Sequence, residues 1–314
     1  MKFLKLIRWQ NLLFIIYIMI LMRYCIIKPI LSAYGLPLLF PQWQYLLLIL
    51  MTVLIAAAGY MINDYFDLDA DKLNNKKNPI TEGYFSKNFV FYTHLIFNII
   101  AIAIGFYLSY QISLISLGFI YFLIAGLLWF YSNSYKYQFL IGNLIIATLA
   151  ALTVFLPTIY EIPLQIQLNG DYLLQNHINI NVATAWTGAF ATFAFLMTLI
   201  REIVKDAQDM DGDKAQGAKT LPIVLKIKGT KITIIFLWLI TTALIIWIYY
   251  DFLKDTLSLI YISIAIILPM LLFLYKLIKA KTKKDFAFLS ALLKIIMFLG
   301  TTYSLLACYQ FHKL

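Results

Sequence analysis

Nine of the 15 acidic side chains in this 314-residue chain fall in two short stretches that together span 20 positions. The first holds Asp64, Asp67, Asp69 and Asp71; the second holds Glu202, Asp206, Asp209, Asp211 and Asp213. Like charges at such density repel each other unless a cation sits among them. Asn63, Asp67 and Asp71 recur every fourth residue, so a helix stacks them on one face, with Asp64 sharing it by i,i+3 to Asp67. Asp206, Asp209 and Asp213 share one face by the same spacings. Oxygen donors without His or Cys point to a hard cation, Mg²⁺ before Ca²⁺. The pattern is not an EF-hand, because the glycine and the twelfth-position glutamate are misplaced. The candidate metal ligands are therefore Asn63, Asp64, Asp67, Asp71, Asp206, Asp209 and Asp213. Mg²⁺ is usually held by few carboxylates plus substrate phosphates, which implies a phosphate or diphosphate ligand. Lys72, Lys76, Arg201, Lys205, Lys214 and Lys219 lie near enough in sequence to meet its remaining charge.

The elements that must carry these side chains are membrane helices. Apolar residues make up 62% of the chain and charged residues 13%, against roughly 45–50% and about 25% in soluble domains. A mean hydropathy of +0.83 excludes a soluble enzyme, a disordered chain and a disulfide scaffold. A span needs about 20 apolar residues. Nine candidates follow, near 11–31, 44–62, 88–108, 113–131, 139–159, 183–200, 232–250, 257–275 and 287–308. The expected fold class is all-α, a polytopic bundle of nine transmembrane helices in a single domain over 1–314. The first apolar run is too long for a signal peptide and no A-x-A site follows it. Cys25 and Cys308 lie in apolar runs and form no metal spacing or disulfide framework.

Charge placement sets the orientation. With the N-terminus inside, twenty of the 25 Lys and Arg fall on the cytoplasmic side, and only Arg23, Lys28, Lys254 and Lys313 on or toward the other. This explains the net charge of +10 without nucleic acid. The expectation is a multi-pass protein of the cell's inner, cytoplasmic membrane, with the C-terminus outside. Both acid stretches follow even-numbered spans, so both face the cytoplasm and can meet across one cavity. The longest outer loop, about 160–182, carries Glu161 and Asp171 and has room for a short surface helix. Arg23, inside a span, is read as either functional or snorkelling to the interface. His94, His177 and His312 have no partner spacing, and Lys294 is read as pairing inside the bundle.

With these residues in view, the chain resembles the UbiA-type intramembrane prenyltransferase superfamily along essentially its whole length. The motif N-D-x-x-D-x-x-x-D is met by Asn63, Asp64, Asp67 and Asp71, and D-x-x-x-D by Asp209 and Asp213. Arg8 and Asn11 resemble the family's Arg-x-x-Asn start. Tyr131, Lys136, Gly142 and Asn143 resemble its pattern around the fourth-to-fifth loop. Arg201 through Pro222 most resembles the branch whose acceptor is geranylgeranylglyceryl phosphate. Asn78-Pro79 is present, but no arginine precedes it as in the basic stretch that often follows the first motif.

The resemblance implies Mg²⁺-dependent transfer of a prenyl group, geranylgeranyl in this branch, from its diphosphate to a lipid-soluble acceptor within the bilayer. It makes Asp67, Asp71, Asp209 and Asp213 the acids on which turnover depends. The substrate-binding set is Arg8, Asn11, Asn63, Lys72, Tyr131, Lys136, Arg201, Lys205 and Lys219. An allylic cation needs π-faces and no loose water; Tyr60, Tyr65 and Tyr131 are the nearest aromatic candidates. Two alternatives stay open, an aromatic acceptor of quinone or heme biosynthesis and an ion-coupled transporter. The acids lie at helix ends rather than at the midplane, and no paired Gly/Pro breaks in inverted halves are seen, which speaks against the transporter.

Overall fold

Among the described residues, every regular element is helical, and nine helices are long and apolar enough to cross a membrane. The structure is a computed structural model and describes residues 2–68 and 78–311. The helices are α1 (Trp9–Ala33), α2 (Gln42–Phe66), α3 (Lys87–Gln111), α4 (Ser116–Asn133), α5 (Ile141–Gln175), α6 (Asn181–Ala215), α7 (Leu221–Leu253), α8 (Thr256–Lys279) and α9 (Lys283–Phe311). The chain is a multi-pass membrane protein, and each span expected from hydropathy is present. Several helices outrun their apolar runs, because polar residues continue the backbone ladder past the point where hydropathy falls. α6 continues through the second acid stretch, and α7 starts at Leu221. Residues 160–175 are not an outer loop but the second half of α5.

Three of the described helices contain π-helical stretches, Met22–Ile27 in α1, Tyr249–Leu253 at the end of α7 and Ile262–Ile267 in α8. Pro29 and Pro269 follow the first and third of these and remove an N–H from the ladder. Local widening re-satisfies the freed backbone groups, as spans in lipid require.

The described residues gather into two compact units. Unit 1 comprises Met1–Lys136 and Thr153–Thr187. There α2 packs on α3 and α4. Lipid offers no hydrophobic drive between helices, so close approach depends on small residues. At Gly105 of α3 an added Cβ would lie 2.4 Å from the Tyr121 ring, so only glycine admits that ring. Tyr121 and Tyr160 join hydroxyls at 2.7 Å in the buried interior.

The connection between α1 and α2 is held by a charged clasp. Glu161 is 1% exposed. Its Oε1 accepts from the Leu39 N–H at 2.7 Å and its Oε2 from the Phe40 N–H at 3.1 Å. Gln165 donates to Glu161 at 2.9 Å and to the Pro37 carbonyl at 2.7 Å. Arg23 donates to the Phe40 carbonyl and stacks over Tyr45 at 4.2 Å. Arg23 is 4% exposed, so it is buried in the unit rather than snorkelling.

Unit 2 comprises Tyr137–Leu152 and Gly188–Leu314. α8 packs along α9, Trp238 donates to the Met270 carbonyl at 3.0 Å, and the Ser258 and Tyr303 hydroxyls meet at 2.6 Å. Asp255 caps α8 by accepting from the Ser258 N–H at 2.8 Å.

Candidate active site

The first acid motif sits where α2 runs out. Asp67 is the C-cap of that helix, with its N–H bonded to the Asn63 carbonyl at 2.9 Å. The expected i,i+4 pairing is present, with Asn63 Nδ2 donating to Asp67 Oδ2 at 2.6 Å. Lys136 forms an ion pair with Asp67 through Oδ1. Asp64, buried one turn back, is paired with Arg8 Nη2 at 3.1 Å. Asp71 and Lys72 lie outside the described residues.

Arg8 is positioned by sequence-local means. The helical turn Lys2–Leu6 plants Leu6 in an apolar cluster with Met61 and Val90. Arg8 then takes a left-handed backbone (φ 50) at the start of α1, and its guanidinium lies over the Tyr60 ring at 4.9 Å. Burial pulls the Arg8 pKa down, but Asp64, Tyr60 and Tyr131 together hold it above its ordinary value, so it stays a cation. Asn11 donates to the Tyr60 hydroxyl at 3.2 Å. The Arg-x-x-Asn pair, Tyr60, Tyr131 and Lys136 thus converge with the first motif inside unit 1. Tyr65 lies among Phe66 and Phe91 with the Lys87 ammonium 4.6 Å from its ring.

Asn78, which the resemblance marks as part of the stretch after the first motif, belongs to this constellation. It is 1% exposed, donates to the Asp64 carbonyl at 3.0 Å and accepts from the Ile80 N–H at 2.9 Å. It satisfies a carbonyl near the α2 end and folds the chain back at Pro79. The Asn-Pro dipeptide was the available signal, since it favours turn initiation.

The second motif lies on α6, in unit 2. Asp206 accepts from Asn143 Nδ2 at 2.7 Å, which gives the Gly-Asn pattern on α5 a structural role. Glu202, Lys205 and Asp213 lie within electrostatic reach of Asp206. Asp209 and Asp213 follow on the same face of the helix. Glu202 is buried and holds two cations, Arg201 at 2.7 Å and Lys205 at 3.5 Å. Arg201 and Lys205 therefore share a carboxylate that stripe counting did not assign. Lys219 is exposed, and its backbone N–H donates to the Tyr137 carbonyl at 2.7 Å.

The donor chemistry fits a hard divalent cation. Among the described residues, no three acids, histidines or cysteines converge closely enough to hold a metal by themselves. Mg²⁺ in phosphate sites is commonly held by one or two carboxylates with phosphate oxygens filling the shell. Asp67 with Asn63, and Asp209 with Asp213, are donor sets of that kind.

Fold and motifs define an all-helical membrane protein with two carboxylate motifs on helix ends. The UbiA prenyltransferase family model matches residues 21–300, and the chain belongs to that family. A relative from Thermococcus sibiricus named digeranylgeranylglyceryl phosphate synthase is 35% identical over 192 residues, covering 61% of this chain and 60% of that protein. A relative of the same name from Methanobrevibacter smithii is 35% identical over 234 residues, covering 73% and 74%. A structure solved in a study of digeranylgeranylglyceryl phosphate synthase in membranes superposes with TM-score 0.65 at 24% identity, covering 98% of each chain. A UbiA homolog from Archaeoglobus fulgidus bound to GPP and Mg²⁺ gives TM-score 0.56 at 15% identity, covering 97% of this chain and 99% of that one. At these identities the structural likenesses show the fold.

Proposed function

We propose that the chain transfers a geranylgeranyl group from its diphosphate to the free hydroxyl of geranylgeranylglyceryl phosphate, with Mg²⁺, on the cytoplasmic side of the cell membrane. The observation that carries this reading is the set of archaeal relatives named digeranylgeranylglyceryl phosphate synthase, joined to two intact carboxylate motifs. In the reaction the allylic C–O bond breaks with its electron pair going to diphosphate. A new C–O bond forms to the acceptor hydroxyl, which loses its proton.

Asn63, Asp64, Asp67 and Asp71 from one motif, and Asp206, Asp209 and Asp213 from the other, are the residues that would hold the metal. A divalent cation bound there would supply charge neutralisation to the leaving group. Arg8 and Lys136 carry the cationic work on the chain's own account. Each now neutralises a motif acid, and each is a donor that can turn to a phosphate oxygen once the acid is otherwise engaged. Asn11 and Tyr60 hold Arg8 in place, and Tyr60 and Tyr131 offer π-faces beside it. Lys72, Arg201, Lys205 and Lys219 complete the proposed binding set.

The test is purified protein with labelled geranylgeranyl diphosphate, Mg²⁺ and a panel of acceptors. The glycerol phosphate should be alkylated, 4-hydroxybenzoate, dihydroxynaphthoate and protoheme should not, and EDTA should stop turnover. Alkylation of an aromatic acceptor with the glycerol phosphate ignored would overturn the acceptor assignment.

Orientation is checked separately. Reporters fused at Lys77 and at Lys219 should both read as cytoplasmic, and the C-terminus as outside. Opposite faces for Lys77 and Lys219 would rule out a site shared by the two motifs.

A further inference from the structure

Unit 2 contains a cavity of about 430 Å³ at the junction of α6 and α7. Three lysines line it, Lys214 of α6 and Lys226 and Lys228 of α7. Met210, Ile223 and Ile227 supply apolar walls, and no acid lines it.

The cavity follows from local structure. α6 ends in a left-handed turn at Gly217 (φ 72), with the Ala218 N–H returning to the Asp213 carbonyl at 3.0 Å. α7 then breaks at Lys226, whose φ of 57 and ψ of 171 lie outside helical space. A lysine held there is strained, and strain of this kind clusters at binding sites. Buried Thr230 secures the break by donating to the Lys226 carbonyl at 2.9 Å. Ile227 and Lys228 are the first residues of the segment beyond it, where a helix presents the positive end of its dipole. The lining comes from both sides of this break.

Three exposed lysines on the lining of one half-open cavity, with no acid among the lining residues, favour an anion. A phosphomonoester brings roughly −1.5 to −2 charge and three acceptor oxygens, and lysine is a point-charge partner for it. The apolar walls add a second requirement, that the anion be attached to an alkyl body. Met210 and Lys214 are one residue along from Asp209 and Asp213, so the cavity lies about a quarter turn around α6 from the acid stripe. A second phosphate can sit there without competing for the same acids or their cations.

We propose that this cavity receives the phosphate head of the acceptor. This rests on the function proposed above and gives the acceptor's charge to Lys214, Lys226 and Lys228 rather than to Lys219. The test uses the purified protein in phosphatidylcholine nanodiscs and the double variant Lys226→Gln/Lys228→Gln. The apparent KM for geranylgeranylglyceryl phosphate should rise about tenfold or more, the scale of one lost charge-assisted hydrogen bond. KM for geranylgeranyl diphosphate should stay within about twofold on the same scale. With geranylgeranylglycerol, which lacks the phosphate, variant and wild type should behave alike. Lys226→Gly, which suits the positive φ, should also raise the acceptor KM and guards against a folding artefact. An unchanged acceptor KM, or an equal change with the phosphate-free acceptor, would overturn the proposal.

Direct binding of labelled acceptor without donor separates this inference from the catalytic one. Binding that the double variant loses, in a protein that transfers nothing, would sustain the cavity and sink the proposed reaction. If phosphatidic acid in the nanodisc displaces the label as well as unlabelled acceptor does, the cavity serves bilayer headgroups and the acceptor assignment falls.

Discussion

Asp67→Ala and Asp209→Ala should each reduce turnover by about a thousandfold or more while leaving the protein folded and inserted. Each removes a carboxylate from one of the two motifs proposed to hold the metal–diphosphate group. Asp67 joins the end of α2 to the α4–α5 connection through Lys136, so thermal unfolding is the control that separates lost chemistry from lost packing. Asp67 lies at the end of α2 with Asn63 and Lys136 as partners, and Asp209 lies near the end of α6. Asp67→Asn is the stricter version, since it keeps shape and the bond to Lys136 is merely weakened. The measurement is initial rate at saturating substrates, with thermal unfolding in detergent as the folding control. A variant that unfolds like wild type and keeps a tenth or more of the activity would remove its acid from the proposed site.

Glu161→Ala should have the opposite signature, a large loss of stability. Two backbone N–H groups and the Gln165 amide donate to this carboxylate, and Arg23 sits on the other side of Phe40. Truncation leaves those buried donors unmatched. A buried donor left without an acceptor costs about 1–3 kcal/mol, and several are left here. Glu161→Gln keeps one acceptor oxygen and should cost less. A double variant with Arg23→Met should be far from additive, because both residues act on the Phe40 backbone. Thermal unfolding by intrinsic fluorescence reads all three; an unchanged midpoint for Glu161→Ala would show that the clasp contributes nothing.

These two predictions draw on different kinds of legibility. The acid motifs were readable because charge is scarce in this chain and helical spacing is local. Asn63 and Asp67, or Asp206, Asp209 and Asp213, are placed on a common face by backbone geometry alone. Arg8, Asn11, Tyr131 and Lys136 were readable only through family resemblance, since nothing in their spacing links them to Asp64 or Asp67. The structure supplies that link, through ion pairs and hydrogen bonds that cross dozens of residues of sequence.

Glu161 was misplaced for a related reason. Hydropathy averages over a window, and the Glu, Gln and Asn residues after the fifth apolar run lower it enough to look like a loop. Yet α5 continues, because Glu161 and Gln165 find donors and acceptors on the chain between α1 and α2. Arg23 escaped in the same way: a lone arginine in a span reads as snorkelling until the Phe40 carbonyl and the Tyr45 ring are seen around it. The break at Lys226 has no local signal, as neither glycine nor proline occupies that position.

The sequence by itself determined that this chain lives in a bilayer, that nine stretches are long and apolar enough to cross it, and that it carries two carboxylate motifs at helical spacing. Apolar length, charge bias and helical period are properties of contiguous residues, and each adds up along the chain. Tertiary structure alone decided which cation meets which acid, that a glutamate counted as outer loop is the buried anchor of the α1–α2 connection, and that three lysines surround a cavity. Those outcomes depend on side chains distant in sequence finding geometry in which each polar group is satisfied, and no local pattern encodes that.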